Sequence, residues 1–309
     1  EVIDGVPIML ACPECDMDTA LTQESFTAKW TLSPEFAIEG KVRTFYLNWY
    51  LERYGFERLD RLQSFLSTKS MILEAGAGVG RDALLYGENC PGQVFAVDIS
   101  AGIDSTFRHT RHLPNVHAIQ ADLRFLPFAP ETFDYVVSDQ VLHHTPNTEA
   151  SFLNLSRYVA PEGHLAAYVY KKKGPIREFC DDFLRKAYSG GSEEECYAFS
   201  RAMTLLGKSL SDLHVEFEVP EDIPVLKIKA GKYDIQRFIY YHVFKCYWND
   251  AADLNGNIVT NFDWYHPVHA WRHTPEEVKT WCERAGLSIE HFDVCDSGIS
   301  VRATKPKTR

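Results

Sequence analysis

The chain has 309 residues, of which 45% are hydrophobic and 24% charged, and its formal net charge is −11 at pH 7. This composition supports a sizeable folded core, and no apolar run is long enough to cross a bilayer, so we expect no membrane partner. The acidic balance argues against a nucleic-acid partner, because that affinity depends on Lys and Arg neutralising phosphates. The eight cysteines are scattered, which favours free thiols and a cytoplasmic location.

The N-terminal region predicts an irregular arm followed by helices. Residues 1–24 are rich in acids and turn formers, whereas residues 30–65 carry aromatic and aliphatic side chains at three- and four-residue steps. That spacing is typical of amphipathic helices. We therefore predict an N-terminal arm with helices over residues 1–68.

From residue 71 onward, short apolar runs alternate with helical stretches. The predicted strands are 71–74, 94–97, 116–119, 135–138 and 165–170. Short strands that alternate with helices indicate crossover units and a parallel sheet. We predict that residues 69–171 form an α/β core.

The alternation stops after residue 170. Residues 175–212 are predicted to be helical, residues 213–233 irregular or extended, and residues 234–249 an aromatic-dense helix. We interpret residues 172–273 as an insertion that caps the sheet on its substrate side.

The sheet pattern returns in the last segment. Thr274-Pro275-Glu276-Glu277 is typical of a helix start, with a capping Thr, Pro at the first helical position and Glu at the third. Two closing strands are predicted at 287–294 and 299–303, so residues 274–309 complete the core.

A glycine-rich turn follows the first predicted strand and reads Glu74-Ala75-Gly76-Ala77-Gly78-Val79-Gly80-Arg81. A buried strand that runs into glycines and then a helix brings backbone close to a ligand at the carboxyl edge of a sheet. A dinucleotide fingerprint requires a glycine where Arg81 stands, which disfavours a nicotinamide oxidoreductase.

An apolar strand ending at Asp98 follows the turn, and a carboxylate there can accept hydrogen bonds from both ribose hydroxyls. In this order the motifs resemble those of class I S-adenosylmethionine (SAM)-dependent methyltransferases. The resemblance covers about residues 70–171 and returns at 274–304. It implies a Rossmann-like, doubly wound, seven-stranded sheet with SAM as the cofactor.

The resemblance also implies a set of cofactor-binding residues on the loops that follow the strands. They are Glu74, Gly76, Gly78, Gly80, Arg81, Asp98, Ile99, Asp122, Leu123, Asp139 and Gln140. In this family the glycine turn lies under the methionyl part, and the acid matching Asp98 holds the ribose. By the same resemblance Ile99 supports the adenine and Asp122 accepts from its amino group, while Arg81 is expected to pair with the cofactor carboxylate.

Methyl transfer is an in-line displacement in which alignment in a dry pocket supplies much of the rate. A hydroxyl acceptor would also benefit from a base near neutral pKa. The candidate bases are His143, after the fourth strand, and His266 and His269, in an aromatic run before the returning sheet. His144 adjoins His143, and we expect one of the two to face the site while the other packs or caps a helix. A purely structural role is the alternative for each.

Predicted substrate-binding residues lie in the insertion: Arg177, Tyr240, Tyr241, Trp264, Tyr265 and Trp271. Arg177 follows a Gly-Pro at a helix start, where a guanidinium can hold a carboxylate or phosphate. The basic run 171–173 either holds an anionic substrate or is a solvated segment. Core packing is the alternative for Tyr240 and Tyr241, and a chance surface position is the alternative for Trp264, Tyr265 and Trp271.

Cys12 and Cys15 form one C-x-x-C pair without a second pair, so no metal site is predicted. The sequence therefore favours SAM-dependent methyl transfer to a small or medium-sized metabolite, with an oxygen, nitrogen or carbon acceptor left open. Two alternatives remain, a SAM-using enzyme that transfers no methyl group and a non-catalytic SAM-binding partner of another subunit.

Overall fold

The N-terminal region is more ordered than its sequence predicts. A computed structural model describes residues 1–10 and 16–307 of the chain. Its first elements are strands β1 (Val2–Ile3) and β2 (Val6–Pro7) and helices α1 (Met17–Leu32), α2 (Gly40–Arg53) and α3 (Leu59–Leu66). The arm predicted to be irregular to residue 24 is helical from residue 17, because the Asp16 carboxylate caps α1 by accepting from the Thr19 amide at 2.7 Å.

Five parallel strands form the centre of the sheet. The elements are β3 (Met71–Ala75), α4 (Arg81–Asn89), β4 (Gln93–Asp98), α5 (Gly102–Thr110), β5 (Val116–Gln120), β6 (Phe133–Asp139), α6 (Thr148–Ser156) and β7 (Val159–Tyr170). Each predicted strand lies within one of them. Their pairing is parallel throughout, as short crossover connections require.

The insertion between β7 and the last helix is mostly helical. It contains α7 (Pro175–Tyr188), α8 (Glu193–Ser211), β8 (Glu216–Val219), β9 (Gly231–Asp234), α9 (Ile235–His242) and α10 (Leu254–Tyr265). The prediction that one helix runs to residue 249 is wrong. Beyond His242 the carbonyls bond side chains instead, Lys245 O accepting from Tyr265 Oη at 2.7 Å and Cys246 O from Gln236 Nε2 at 2.8 Å.

Helix α11 (Pro275–Arg284) and strands β10 (Ser288–Val294) and β11 (Gly298–Thr304) complete the fold. Thr274 and Glu277 form the predicted capping box at the start of α11. The sheet order is β10-β11-β7-β6-β3-β4-β5, with β11 antiparallel to both neighbours. The predicted seven-stranded Rossmann-like sheet with a helical arm and insertion is confirmed.

Side chains alternate across the sheet and build a core on each face. On β3, Leu73 contributes to a cluster that includes Phe152 of α6 and Trp281 of α11. Its neighbour Ile72 contributes to a cluster on the other face, with Leu62 of α3 and Phe262 of α10. Among the helices of the described residues, none has both the length and the apolar composition that a membrane span needs.

Candidate cofactor and acceptor site

A cavity of about 420 Å³ lies at the carboxyl ends of the parallel strands. The ends of β3, β4, β6 and β7 supply Glu74, Asp98, Asp139 and Tyr170 to its wall. Helices α1 and α2 line a second side, and the insertion lines the third. This edge of an open α/β sheet is where such folds bind their ligands.

The glycine turn approaches the cavity with backbone rather than side chain. Gly76 and Gly78 both line it, with φ of +100° and +56°. A Cβ at Gly76 would overlap the side chain of Val141, and one at Gly78 would lie 2.8 Å from the Trp30 ring. Gly80 is not among the lining residues, because it is the N-cap of α4 and faces Thr106.

Asp98 is held in the wall by three donors. Its Oδ2 accepts from the Gly78 amide at 2.8 Å, and its Oδ1 accepts from the Ser100 amide at 2.8 Å and hydroxyl at 2.6 Å. The side chain is buried, which raises its pKa. Ile99 lines the cavity beside it.

Glu74 is a buried residue of the cavity wall, and one of its carboxylate oxygens, Oε2, lacks a hydrogen-bond partner among the described residues. Burial, and then the nearby charge of Asp82, raise the pKa of Glu74 well above its usual value. An orphaned carboxylate oxygen in a cavity wall fits a ligand that carries a cation, as SAM does in its ammonium and sulfonium groups.

Asp139 and Arg81 belong to one ionic network. Asp139 accepts from Arg53, from Tyr54 Oη at 2.8 Å, from Arg81 Nη2 at 3.3 Å and from Gln140 Nε2 at 3.1 Å. Arg81 lines the cavity, but its Nε and Nη2 also donate to Asp82, each at 2.7 Å. The Nη1 atom of Arg81 makes no hydrogen bond within the described chain. It is therefore available to donate to a ligand carboxylate.

The sequence did not predict a role for Arg53 in this network. Arg53 is fully buried, its guanidinium lies 3.9 Å from the centre of the Trp49 ring, and it pairs with Asp139. Its position at the end of an aromatic helix carries no local signal of that role, because the pair joins segments 86 residues apart.

Asp122 and Leu123 also line the cavity. The Asp122 carboxylate accepts from the Arg124 amide at 2.9 Å and from Arg124 Nε and Nη2 at 2.9 and 2.6 Å. In this structure the acid expected to contact adenine is therefore oriented by a guanidinium two residues away.

The cavity is lined by His144, the neighbour of the predicted base His143, and not by His143, His266 or His269. His143 is fully buried, and the centres of its ring and the Tyr170 ring lie 3.6 Å apart. His266 bonds Ser25 Oγ at 2.8 Å. The ring of His269 lies away from the wall, while its carbonyl accepts from His144 Nδ1 at 2.7 Å.

The environment of His144 fixes its protonation state. A carbonyl can only accept, so Nδ1 carries the proton and Nε2 presents a lone pair. Burial lowers the pKa of His144 to about 3. The ring is therefore neutral at physiological pH.

Of the predicted substrate residues, Arg177, Tyr240, Tyr241 and Trp264 line the cavity. Tyr265 does not, because its ring is fully buried and its hydroxyl bonds Lys245 O. Trp271 is 48% exposed on the outside, where its Nε1 donates to Thr145 O at 2.9 Å.

The insertion side of the wall also holds an ion-pair group that the sequence did not assign. Asp263 Oδ2 lies 2.7 Å from Lys29 Nζ, and Asp263 Oδ1 lies 3.5 Å from Lys245 Nζ. Lys173 and Arg237 line the same side. In residues 1–10 and 16–307 no three His, Cys, Asp or Glu side chains converge as metal ligands, and Cys12 and Cys15 lie outside the described residues.

A doubly wound sheet with a glycine turn and buried carboxylates around a cavity at its carboxyl edge defines a nucleoside-binding α/β domain. Residues 73–167 match a family model described as "Methyltransferase domain". The domain belongs to the class I SAM-dependent methyltransferases, and SAM is the cofactor of that class. The resemblance seen in the sequence is thus confirmed.

Two curated relatives share part of this chain. A malonyl-[acyl-carrier protein] O-methyltransferase of Gallionella capsiferriformans (strain ES-2) is 29% identical over 149 residues, covering 44% of this chain and 47% of that protein. Sterol methyltransferase-like 1 of Botryococcus braunii is 24% identical over 152 residues, covering 48% and 38%. The chain thus spans less than half the length of either relative.

Solved structures with the same type of sheet are more distant. The N-methyltransferase NodS from Bradyrhizobium japonicum WM9, in complex with S-adenosyl-L-homocysteine (SAH), is 15% identical with a TM-score of 0.44, covering 91% of this chain and 100% of that one. Similarity at that level carries no inference about substrate.

Proposed function

We propose that the whole chain catalyses SAM-dependent methyl transfer to a small or medium-sized metabolite. The observation that carries the proposal is the continuity of the cavity, whose wall runs from the Gly76–Gly78 turn to the aromatic residues of the insertion. When bound, SAM supplies an electrophilic methyl group on a sulfonium. The acid-rich side of the wall suits that cofactor, and the insertion side is left for an acceptor.

Residues of the sheet edge would hold the cofactor. Asp98 is a preoriented acceptor for sugar hydroxyls, and the orphaned oxygen of Glu74 suits an ammonium group. Arg81 Nη1 suits a carboxylate. Gly76 and Gly78 would let a ligand lie against the backbone.

Helix α1 and the insertion would exclude water from the reacting groups. Phe26 and Trp30 of α1 and Trp264 of α10 contribute apolar surface to the cavity. Gln23 Nε2 of α1 donates to Ile99 O at 3.0 Å, which ties that helix to the cofactor side. A cavity of this size, lined from three sides, favours a small acceptor over a macromolecular surface.

His144 would orient the acceptor rather than take its proton. A ring whose pKa is about 3 is a poor base at neutral pH. Its Nε2 lone pair can still accept a hydrogen bond from an acceptor hydroxyl or amine and so aim that atom. His143, His266 and His269 stay predictions as bases, and their positions away from the wall do not support them.

The proposal is tested by incubating the purified chain with methyl-labelled SAM and a metabolite extract. We expect label in a product that is heavier than its precursor by one methylene, because a methyl group replaces a proton, together with release of SAH. SAM consumption without a methylated product would favour another SAM-using reaction. SAH binding with no turnover of any extract would favour a non-catalytic partner.

His144→Asn probes the site itself. The Asn amide can replace Nδ1 as donor to His269 O, but it removes Nε2. We expect turnover to fall about tenfold or more, because the acceptor loses its hydrogen bond to the neutral ring and is aligned less well with the methyl group. The affinity for SAH should be unchanged. His214→Asn is the control, because His214 is exposed and its φ of +50° is one that Asn tolerates. Equal turnover in both variants would refute the role of His144 in orienting the acceptor.

A further inference from the structure

The two sides of the cavity carry opposite charge. On the sheet-edge side five carboxylates accompany two guanidinium groups: Glu74, Asp82, Asp98, Asp122 and Asp139 with Arg81 and Arg124. On the opposite side, called the insertion side below, four cationic residues of the insertion and Lys29 of α1 accompany one carboxylate, Asp263; the four are Lys173, Arg177, Arg237 and Lys245. The first side suits a cationic cofactor, and the second side lacks counter-charge.

The protein's own acids do not balance the cationic side. Lys29 and Lys245 share the single carboxylate of Asp263, at 2.7 and 3.5 Å. Arg177 pairs with the buried Asp181 at 2.8 Å and also donates to the Tyr240 carbonyl.

The other two cations of this side bond only carbonyl groups among the described residues. Lys173 Nζ donates to the carbonyl of Asp296 and, at 2.9 Å, to that of Ser297. Arg237 Nη2 donates to the Trp248 carbonyl at 3.1 Å. Counting Asp181 with Asp263, two carboxylates face five cations.

Four of these five cations are buried and Arg237 is partly buried, so their excess charge is costly. Lys173 is 8% exposed, Lys245 4% and Arg177 1%. An ammonium group removed from water without a paired anion is unfavourable. Burial, together with the nearby charge of Arg177, lowers the pKa of Lys173 to about 7 and that of Lys245 to about 8.

A neutral donor on the same wall is also left unpaired. Trp264 Nε1 is buried and has no acceptor within the described chain. Lys245 Nζ lies 4.9 Å from the centre of that Trp264 ring. Among the described cavity-lining residues of this side, the buried atom left unpaired is this Trp264 donor; the unpaired Oδ1 of Asp181 belongs to a residue that does not line the cavity and that pairs with Arg177 through its other oxygen. A ligand that complements this side is therefore an acceptor that carries negative charge.

We propose that the methyl acceptor is an anionic metabolite whose carboxylate or phosphate group is held by Lys173 and Lys245 beside Arg177. This inference rests on the proposed methyl-transfer function and names the substrate class for it. The anion completes the charge of the insertion side and sets the acceptor's orientation toward the sheet edge. Neutral analogues leave the buried ammonium groups unpaired and are rejected.

The test is calorimetric titration of the full chain, saturated with SAH, with malonate and separately with inorganic phosphate. Sodium chloride at matched ionic strength is the reference. We expect binding of at least one of the two anions, and the stronger one assigns the charged group. No binding of either anion at millimolar concentration overturns the proposal.

Variants locate the binding. Lys173→Met and Lys245→Met remove the charge and keep the chain length, and we expect each to weaken anion binding about tenfold or more. Lys232→Met is the control, because Lys232 is exposed in the same insertion, and it should bind as the wild type does. Unchanged affinity in both site variants overturns the assignment.

SAH titration of the same samples separates the two proposals. Variants that bind SAH normally are folded, so a loss of anion binding in them is specific. Failure of the wild type to bind SAH would contradict the proposed function, whatever the anions do. Normal SAH binding with no anion binding would remove only the substrate class.

Discussion

The Gly78 amide donates a hydrogen bond of 2.8 Å to Asp98 Oδ2, so the turn after β3 and the end of β4 hold each other in place. The Ser100 amide and hydroxyl bind the other oxygen. The carboxylate is thus oriented before any ligand arrives. A preoriented acceptor loses less conformational freedom on binding, which favours affinity for a sugar diol.

Gly76→Ala should destabilise the protein. The new Cβ overlaps Val141, and φ at this position is +100°. Gly40→Ala is the matched control, because Gly40 has φ of +70° with no atom near the added Cβ. We expect Gly76→Ala to lower the free energy of unfolding by about 1–3 kcal/mol more than Gly40→Ala, measured by denaturant titration. Equal losses would mean that the turn accommodates a side chain.

The sheet and the cofactor turn could be predicted because their signals are local. Strand β3, the glycines and Asp98 lie within one stretch of 28 residues whose order reflects the crossover topology. The acceptor side could not be predicted in the same way. Lys29 and Asp263 form one ion pair across 234 residues of sequence, and no spacing rule relates them.

Neighbouring residues of the sequence also place their side chains in different environments, which the sequence pattern does not predict. His143 and His144 share one short turn, yet His144 lines the cavity and His143 lies in the core. Trp271 belongs to the aromatic run that suggested a pocket wall, but its ring lies outside. Side-chain direction in irregular segments depends on tertiary packing, which sequence periodicity does not report.

Asp263→Asn should be strongly destabilising. It removes the carboxylate shared by Lys29 and Lys245, leaving two buried ammonium groups without an anion. Breaking a buried pair costs about 3–5 kcal/mol. The exposed pair of Lys208 and Asp212 is the comparison, and Asp212→Asn should cost about 0–1 kcal/mol. Chemical unfolding measures both, and similar losses would contradict the burial argument.

The double variant Lys29→Met/Asp263→Asn refines that test. It removes one unpaired cation together with the anion, so it should be more stable than Asp263→Asn alone. A double variant that is no more stable than the single one would indicate that Asp263 acts through contacts other than this pair.

Lys173 should make stability depend on pH. Its pKa is about 7 in the folded state and 10.5 for the free side chain, so above pH 7 the unfolded chain binds more protons. The burial penalty is therefore fully present below pH 7 and is lost as pH rises toward 10.5. The wild type should gain stability relative to Lys173→Met between pH 7 and pH 9 in denaturant titrations. A constant difference between the two proteins would refute this.

The central claim is that the carboxylate of Asp98 holds the sugar of a sulfonium nucleoside, and calorimetric titration with SAH tests it most directly. We predict that the wild type binds SAH and not NAD, and that Asp98→Asn weakens SAH binding about tenfold or more. Asp104→Asn, at an exposed acid in the first turn of α5, should bind SAH normally. Wild-type affinity in folded Asp98→Asn, or no binding of SAH to the wild type at millimolar concentration, would contradict the account.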